Sequence, residues 1–139
     1  MLSTTIKVLC VDDNELVGGA IRAKLEWAGG FEWVGQLPTA DHLLEEAERV
    51  RPDVVLLDID MPGRDPFSAL EELTVRFPEV RALMLSGHIS RGLVDRAIEA
   101  GAYGYFSKDD DFASMLDTIQ DVARGNFALG PEVRAELLR

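Results

Sequence analysis

Four short apolar runs in this sequence each lead to side chains that can do chemistry. The first, ending at Val11, is followed by Asp12-Asp13. Val54–Leu57 is followed by Asp58 and then Ile59-Asp60-Met61-Pro62-Gly63. Ala82–Leu85 leads to Ser86-Gly87, and Gly104–Phe106 leads through Ser107 to Lys108. Carboxylates gathered in one cleft repel and raise one another's pKa, a cost that makes sense when a cation is used. A hard divalent ion fits: Mg²⁺ typically combines one or two carboxylates with water and a phosphate. No His or Cys stands at these run ends, which sets zinc aside. The Lys108 ammonium can offset negative charge and grip a phosphoryl oxygen, and Ser86 can donate to another. An Asp carboxylate is an accepted nucleophile for phosphoryl transfer, giving an aspartyl phosphate. Taken singly, each residue has a plainer reading: Asp12, Asp13 and Asn14 as helix caps, Asp58 as a loop cap, Ser86-Gly87 as a turn, Lys108 as a solvated charge. Their joint placement is what points to a cleft.

The elements that must position them follow from hydrophobic patterning. Strands are predicted at Ile6–Val11, Trp33–Gly35, Val54–Leu57, Ala82–Leu85 and Gly104–Phe106. Three of these runs are nearly continuous in apolar character, the mark of strands buried on both faces of a parallel sheet. Between them, apolar residues spaced three to four apart predict helices over Asn14–Ala28, Asp41–Val50, Phe67–Phe77, Leu93–Ala100 and Phe112–Arg124. Gly125 follows the last as a C-capping residue, and Pro52 and Pro78 stop two others. Five strand–helix units predict an α/β fold: a flavodoxin-like, doubly wound, five-stranded parallel sheet of order 2-1-3-4-5 with five flanking helices. Ligands of such sheets bind outside the carboxyl ends of the strands, where the reactive side chains stand.

The motifs as a set resemble the response regulator receiver family of two-component systems, over residues 5–126. They are Val8-Leu9-Cys10-Val11-Asp12-Asp13-Asn14, Pro52-Asp53-Val54-Val55-Leu56-Leu57-Asp58-Ile59-Asp60-Met61-Pro62-Gly63, Leu85-Ser86-Gly87 and Gly101-Ala102-Tyr103-Gly104-Tyr105-Phe106-Ser107-Lys108. The resemblance implies that Asp58 accepts a phosphoryl group from a sensor histidine kinase or a small donor such as acetyl phosphate. It implies Mg²⁺ bound by Asp13 and Asp58, by Asp12 through water, and by the backbone carbonyl of Asp60. Ser86 and Lys108 would bind phosphoryl oxygens, and Tyr105 would be the switch aromatic, moving into space that Ser86 vacates. The face of the fourth helix, fifth strand and fifth helix would then change, and a homodimer through it is a further expectation. Residues 109–133 resemble receivers that precede a LuxR-type helix-turn-helix. Residues 127–139 are accordingly read as a C-terminal helix or linker toward an output domain outside this chain, with a stand-alone receiver as the alternative, and DNA as a partner only through such a domain.

Three positions depart from the commonest pattern. Pro66 replaces a usual Gly and stiffens the loop after Asp58. Asp109 follows Lys108 where many relatives have Pro, so a trans peptide is expected there. Asp60 and His88 add ionisable side chains beside the site, where they would tune loss of the phosphoryl group.

Composition narrows the alternatives. The chain has 139 residues, 47% apolar, with a formal charge of −11, which argues against holding nucleic acid by itself. Its one cysteine, Cys10, is expected in the core. Without a leading apolar segment or a membrane-length one, it is expected in the cytoplasm and away from membranes. A haloacid-dehalogenase-type phosphatase would want Asp-x-Asp after the first strand, a flavodoxin a Ser/Thr/Gly-rich first loop, and a non-phosphorylated pseudo-receiver an incomplete acid–Lys set. Any hydrolysis at Asp58 would be self-directed, so the chain is not read as an enzyme.

Overall fold

A computed structural model of the chain describes residues 5–139. Its strands are β1 (Ile6–Val11), β2 (Phe31–Leu37), β3 (Val54–Asp58), β4 (Arg81–Ser86), β5 (Gly104–Ser107) and β6 (Ala128–Leu129). Its helices are α1 (Glu15–Ala28), α2 (Leu43–Val50), α3 (Pro66–Arg76), α4 (Arg91–Ala100), α5 (Phe112–Ala123) and α6 (Pro131–Leu137).

The continuous apolar runs are buried on both faces because helices cover both. Val8, Cys10, Leu56, Leu85 and Phe106 point toward α1 and α5, against Ile21, Leu25, Met115 and Ile119. Their neighbours Leu9, Val11, Leu57, Met84 and Tyr105 point the other way, against α2, α3 and α4 through Leu43, Leu70, Leu73 and Val94. The period-two alternation of a strand thus divides one apolar run between two cores.

All neighbouring strands pair in parallel, in the order β2-β1-β3-β4-β5-β6. The flavodoxin-like order expected for the first five strands is present, but the sheet has six strands and the described residues hold six helices, which corrects the count of five of each. In β6, Ala128 pairs with Gly104 and Leu129 with Tyr105. Two residues are too few to leave a hydrophobic period in the sequence. Gly104 permits the pairing: a β-carbon there would collide with the carbonyl oxygen of Ala128.

Residues 127–139 lie against the domain. Val133 of α6 is fully buried in the α2–α4 core, with Leu129 and Leu137 packed beside it. The helix is pinned at both ends. Glu132 N donates to Asp110 Oδ2 at 2.9 Å, and the Leu137 carbonyl accepts from Arg91 Nη2 at 2.9 Å. The edge of β5 is therefore occupied by the chain's own β6 and α6, and a partner meeting the α4–β5–α5 face meets these elements too.

Helix starts follow local chemistry. Asn14 caps α1 by accepting from the Leu16 and Val17 amides, Asp65 caps α3 ahead of Pro66, and Asp111 caps α5. Pro66 thus occupies a first-turn position that needs no backbone donor. The Lys108–Asp109 peptide is trans, as the missing proline predicted.

Candidate functional site

β1, β3, β4 and β5 lie side by side, so their carboxyl ends bring Asp12, Asp13, Asp58, Ser86 and Lys108 to one rim. Asp12 and Asp58 are buried and Asp13 is exposed. One carboxylate oxygen from each of the three lies within 4.8 Å of the others, a grouping that could hold a metal ion. Lys108 Nζ bridges the two buried acids, 2.9 Å from Asp58 Oδ2 and 3.0 Å from Asp12 Oδ2.

The remaining lone pairs are unequally served. Asp58 Oδ1 accepts from the Asp60 amide at 2.9 Å, and Asp12 Oδ1 from the Asn14 amide at 2.8 Å. Asp12 Oδ2, although an ion-pair partner of Lys108, is buried with no hydrogen bond directed at it. The Lys108 ammonium balances its charge without a directed hydrogen bond, and a divalent cation among the three carboxylates would give it a second partner. The oxygen-only donor set fits Mg²⁺.

The charges perturb one another. Burial pushes the Asp58 carboxyl above its ordinary range, with the Asp60 amide and the Lys108 ammonium pulling down and the Asp12 charge adding to the rise. Burial works to lower Lys108, but its hydrogen bond to Asp58 and the negative charges of Asp58 and Asp12 outweigh this and hold it above its usual value. Positive charge is thus locked beside Asp58 at neutral pH. Asp109 N donates to the buried Ser107 Oγ at 3.1 Å, which fixes the turn carrying Lys108. Nothing in the sequence singled out Ser107 beyond its place before Lys108.

Ser86 and Tyr105 form a second group beside the acids. Ser86 Oγ donates to Asp60 Oδ2 at 3.2 Å and accepts from the His88 amide at 2.8 Å. The Tyr105 hydroxyl donates to the His88 carbonyl at 2.7 Å, and the ring is buried. Tyr105 therefore points inward while Ser86 is held by Asp60; the movement that the family resemblance implies concerns the phosphorylated state. Asp60, expected to contribute its backbone carbonyl, turns its carboxylate to Ser86. His88 takes part through its backbone.

The family model described as the response regulator receiver domain matches residues 8–120. The chain is 30% identical over 134 residues to the transcriptional regulatory protein DegU of Brevibacillus brevis, covering 96% of this chain and 57% of that protein. It is 32% identical over 132 residues to the response regulator GacA of Pseudomonas syringae, covering 95% of this chain and 62% of the relative. The chain thus spans about three fifths of the length of these relatives. A crystal structure of a LuxR-family two-component response regulator from Aurantimonas superposes with a TM-score of 0.90 at 26% identity, over 97% of this chain and 96% of that one. With the motifs, the sheet order and the acid–lysine rim all in place, this chain belongs to the response regulator receiver domain family.

Proposed function

We propose that the chain is a phosphorylation-dependent switch in which Asp58 is the phosphoacceptor. The observation that carries this reading is the rim itself: three carboxylates in one group, with a lysine bridging the two that are buried. The donor is the phosphohistidine of a sensor histidine kinase, or a small acyl phosphate. An Asp58 carboxylate oxygen forms the new P–O bond as the donor's bond to phosphorus breaks: the P–N bond of phosphohistidine, whose pair leaves with the imidazole, or the bridging P–O bond of an acyl phosphate, whose pair leaves with the carboxylate. Asp58 must be ionised to attack. Burial opposes that, and the Lys108 ammonium favours it. Mg²⁺ held by Asp12, Asp13, Asp58 and the Asp60 carbonyl would supply the charge neutralisation that phosphoryl transfer chiefly needs. Lys108 and Ser86 bind the phosphoryl oxygens once they arrive.

The phosphoryl group adds about −1.5 to −2 charges and three acceptor oxygens. It biases the Ser86–His88–Tyr105 group and, through it, the α4–β5–α5 face on which α6 lies. The wider reading is regulation of transcription in the cytoplasm, by a homodimer that acts through an output domain outside residues 1–139. The charge of −11 leaves DNA contact to that domain. Receiver domains are regulatory modules rather than metabolic enzymes. Among the described residues no helix is long and apolar enough to cross a membrane.

Two measurements test the site. Incubation with acetyl phosphate and Mg²⁺ should add one phosphoryl mass to the wild type, with none in Asp58→Ala and none in the wild type with chelator. An adduct that survives in Asp58→Ala would place the acceptor elsewhere, and no adduct on wild type with kinase or acetyl phosphate would refute the reading. Secondly, Mg²⁺ at ten times its dissociation constant should stabilise the fold by about 1.4 kcal/mol, roughly 4–6 °C in Tm. Asp13→Ala removes an exposed ligand, so it should abolish the shift while leaving the metal-free Tm nearly unchanged. A full shift in that variant would put the ion elsewhere.

A further inference from the structure

A hydroxyl has one proton to donate. Ser86 Oγ gives its proton to Asp60 Oδ2 at 3.2 Å, and the other side of the oxygen is taken by the His88 amide at 2.8 Å. Ser86 is fully buried and Asp60 is exposed, so solvent reaches this contact only from the carboxylate side. To donate to a phosphoryl oxygen, Ser86 must let go of Asp60. We propose that the Asp60 carboxylate is a positioning latch that competes with the phosphoryl group for the Ser86 proton. It thereby holds the switch in its unphosphorylated arrangement. The inference rests on the phosphoacceptor reading above and concerns a side chain that reading assigned no contact.

What the latch holds is defined by the bonds around it. The His88 peptide is clamped at both ends, its N–H on Ser86 and its carbonyl on the Tyr105 hydroxyl. A hand-over of the Ser86 proton from Asp60 to a phosphoryl oxygen therefore draws on the peptide that joins β4 to the α4 side. Tyr105 is already inside, with its hydroxyl on the His88 carbonyl, so release of Ser86 from Asp60 needs no inward swing of the ring. Because the carboxylate is an anionic acceptor, its bond to a hydroxyl is stronger than that of a neutral acceptor. The phosphoryl group must displace that bond and also approach a fixed negative charge.

The two effects separate in a double-mutant cycle read with beryllofluoride, which stands in for the phosphoryl group. With Mg²⁺ present, Asp60→Ala should tighten beryllofluoride binding about three- to tenfold, the size of one released hydrogen bond. In the Ser86→Ala background the same substitution should tighten binding clearly less, by the relief of charge alone. The His88 amide should also shift in the NMR spectrum of unliganded Asp60→Ala, toward its position in beryllofluoride-bound wild type. Equal tightening in both backgrounds would show that Asp60 acts by charge alone and overturn the latch, as would no tightening in either. If wild type with Mg²⁺ binds no beryllofluoride at all, the phosphoacceptor reading itself fails and takes the latch with it; binding without an Asp60 effect removes only the latch.

Discussion

Replacing Lys108 with alanine should destabilise the metal-free fold by about 3–5 kcal/mol and slow phosphoryl uptake by roughly 10²–10³-fold. The first figure comes from what stays behind. Asp12 and Asp58 are both buried, and Lys108 bridges the two. Removing the shared cation leaves two like charges facing each other in a poorly solvated site. Asp58, already pushed up by burial, then rises further. The second figure follows from the same geometry. A preorganised positive group is lost where charge passes onto the phosphoryl oxygens, and a larger share of Asp58 is protonated and unable to attack. Urea unfolding with and without Mg²⁺ and the rate of mass gain from acetyl phosphate measure both. The ion should recover part of the lost stability, since it supplies charge to the same carboxylates. An unchanged urea midpoint would mean that the acids are solvated enough to need no partner.

Alkaline pH should cost this fold about 4 kcal/mol through one thiol. Cys10 lies fully buried in β1, two residues before Asp12. Burial, with the Asp12 and Asp58 charges adding and Lys108 subtracting, pushes its pKa from 9.0 to about 12. The folded value is above the unfolded one, so the native state holds the proton longer. This contribution to stability is complete below pH 9 and is lost as pH rises toward 12, at about 1.4 kcal/mol per pH unit. Cys10→Ala loses some packing at every pH but carries no such slope. Urea stabilities of the two proteins should therefore converge by about 2 kcal/mol between pH 9 and 10.5. A pH-independent difference would show that the thiol is not isolated from solvent. The same shielding makes native Cys10 a poor target for alkylation at pH 8, because the reactive species is the thiolate.

The parts of this molecule that could be read from sequence are those written as runs. Val8–Val11 and Val54–Leu57 are apolar without interruption because both faces of their strands are covered, and Asp12 and Asp58 follow them because the chain there enters the rim. β2 was harder. At the sheet edge it is only partly buried, and the pairing register shifts between Val8 and Leu9, so three central residues stood for a strand of seven. β6 left no pattern at all, since its pairing comes from β5 and from the space at Gly104. The bond between Asp60 and Ser86 joins residues 26 apart. Motif spacing places both at the rim, but the direction of a carboxylate depends on loop geometry that composition does not encode. The inward setting of Tyr105 likewise depends on the His88 carbonyl, a backbone atom that carries no residue-specific signal.

The short helix at the C-terminal end acts mechanically as a crossbar. One end is fastened to Asp110, in the loop that carries Lys108, and the other to Arg91, at the start of the helix that follows the His88 loop. These two loops hold the groups that would grip a phosphoryl group from either side. A change in their separation would therefore bear on both ends of a seven-residue helix whose middle, at Val133, is seated in the core. Arg139 sits two residues beyond its last turn, so the end of the chain is geared to the spacing of the two loops by a single rigid part.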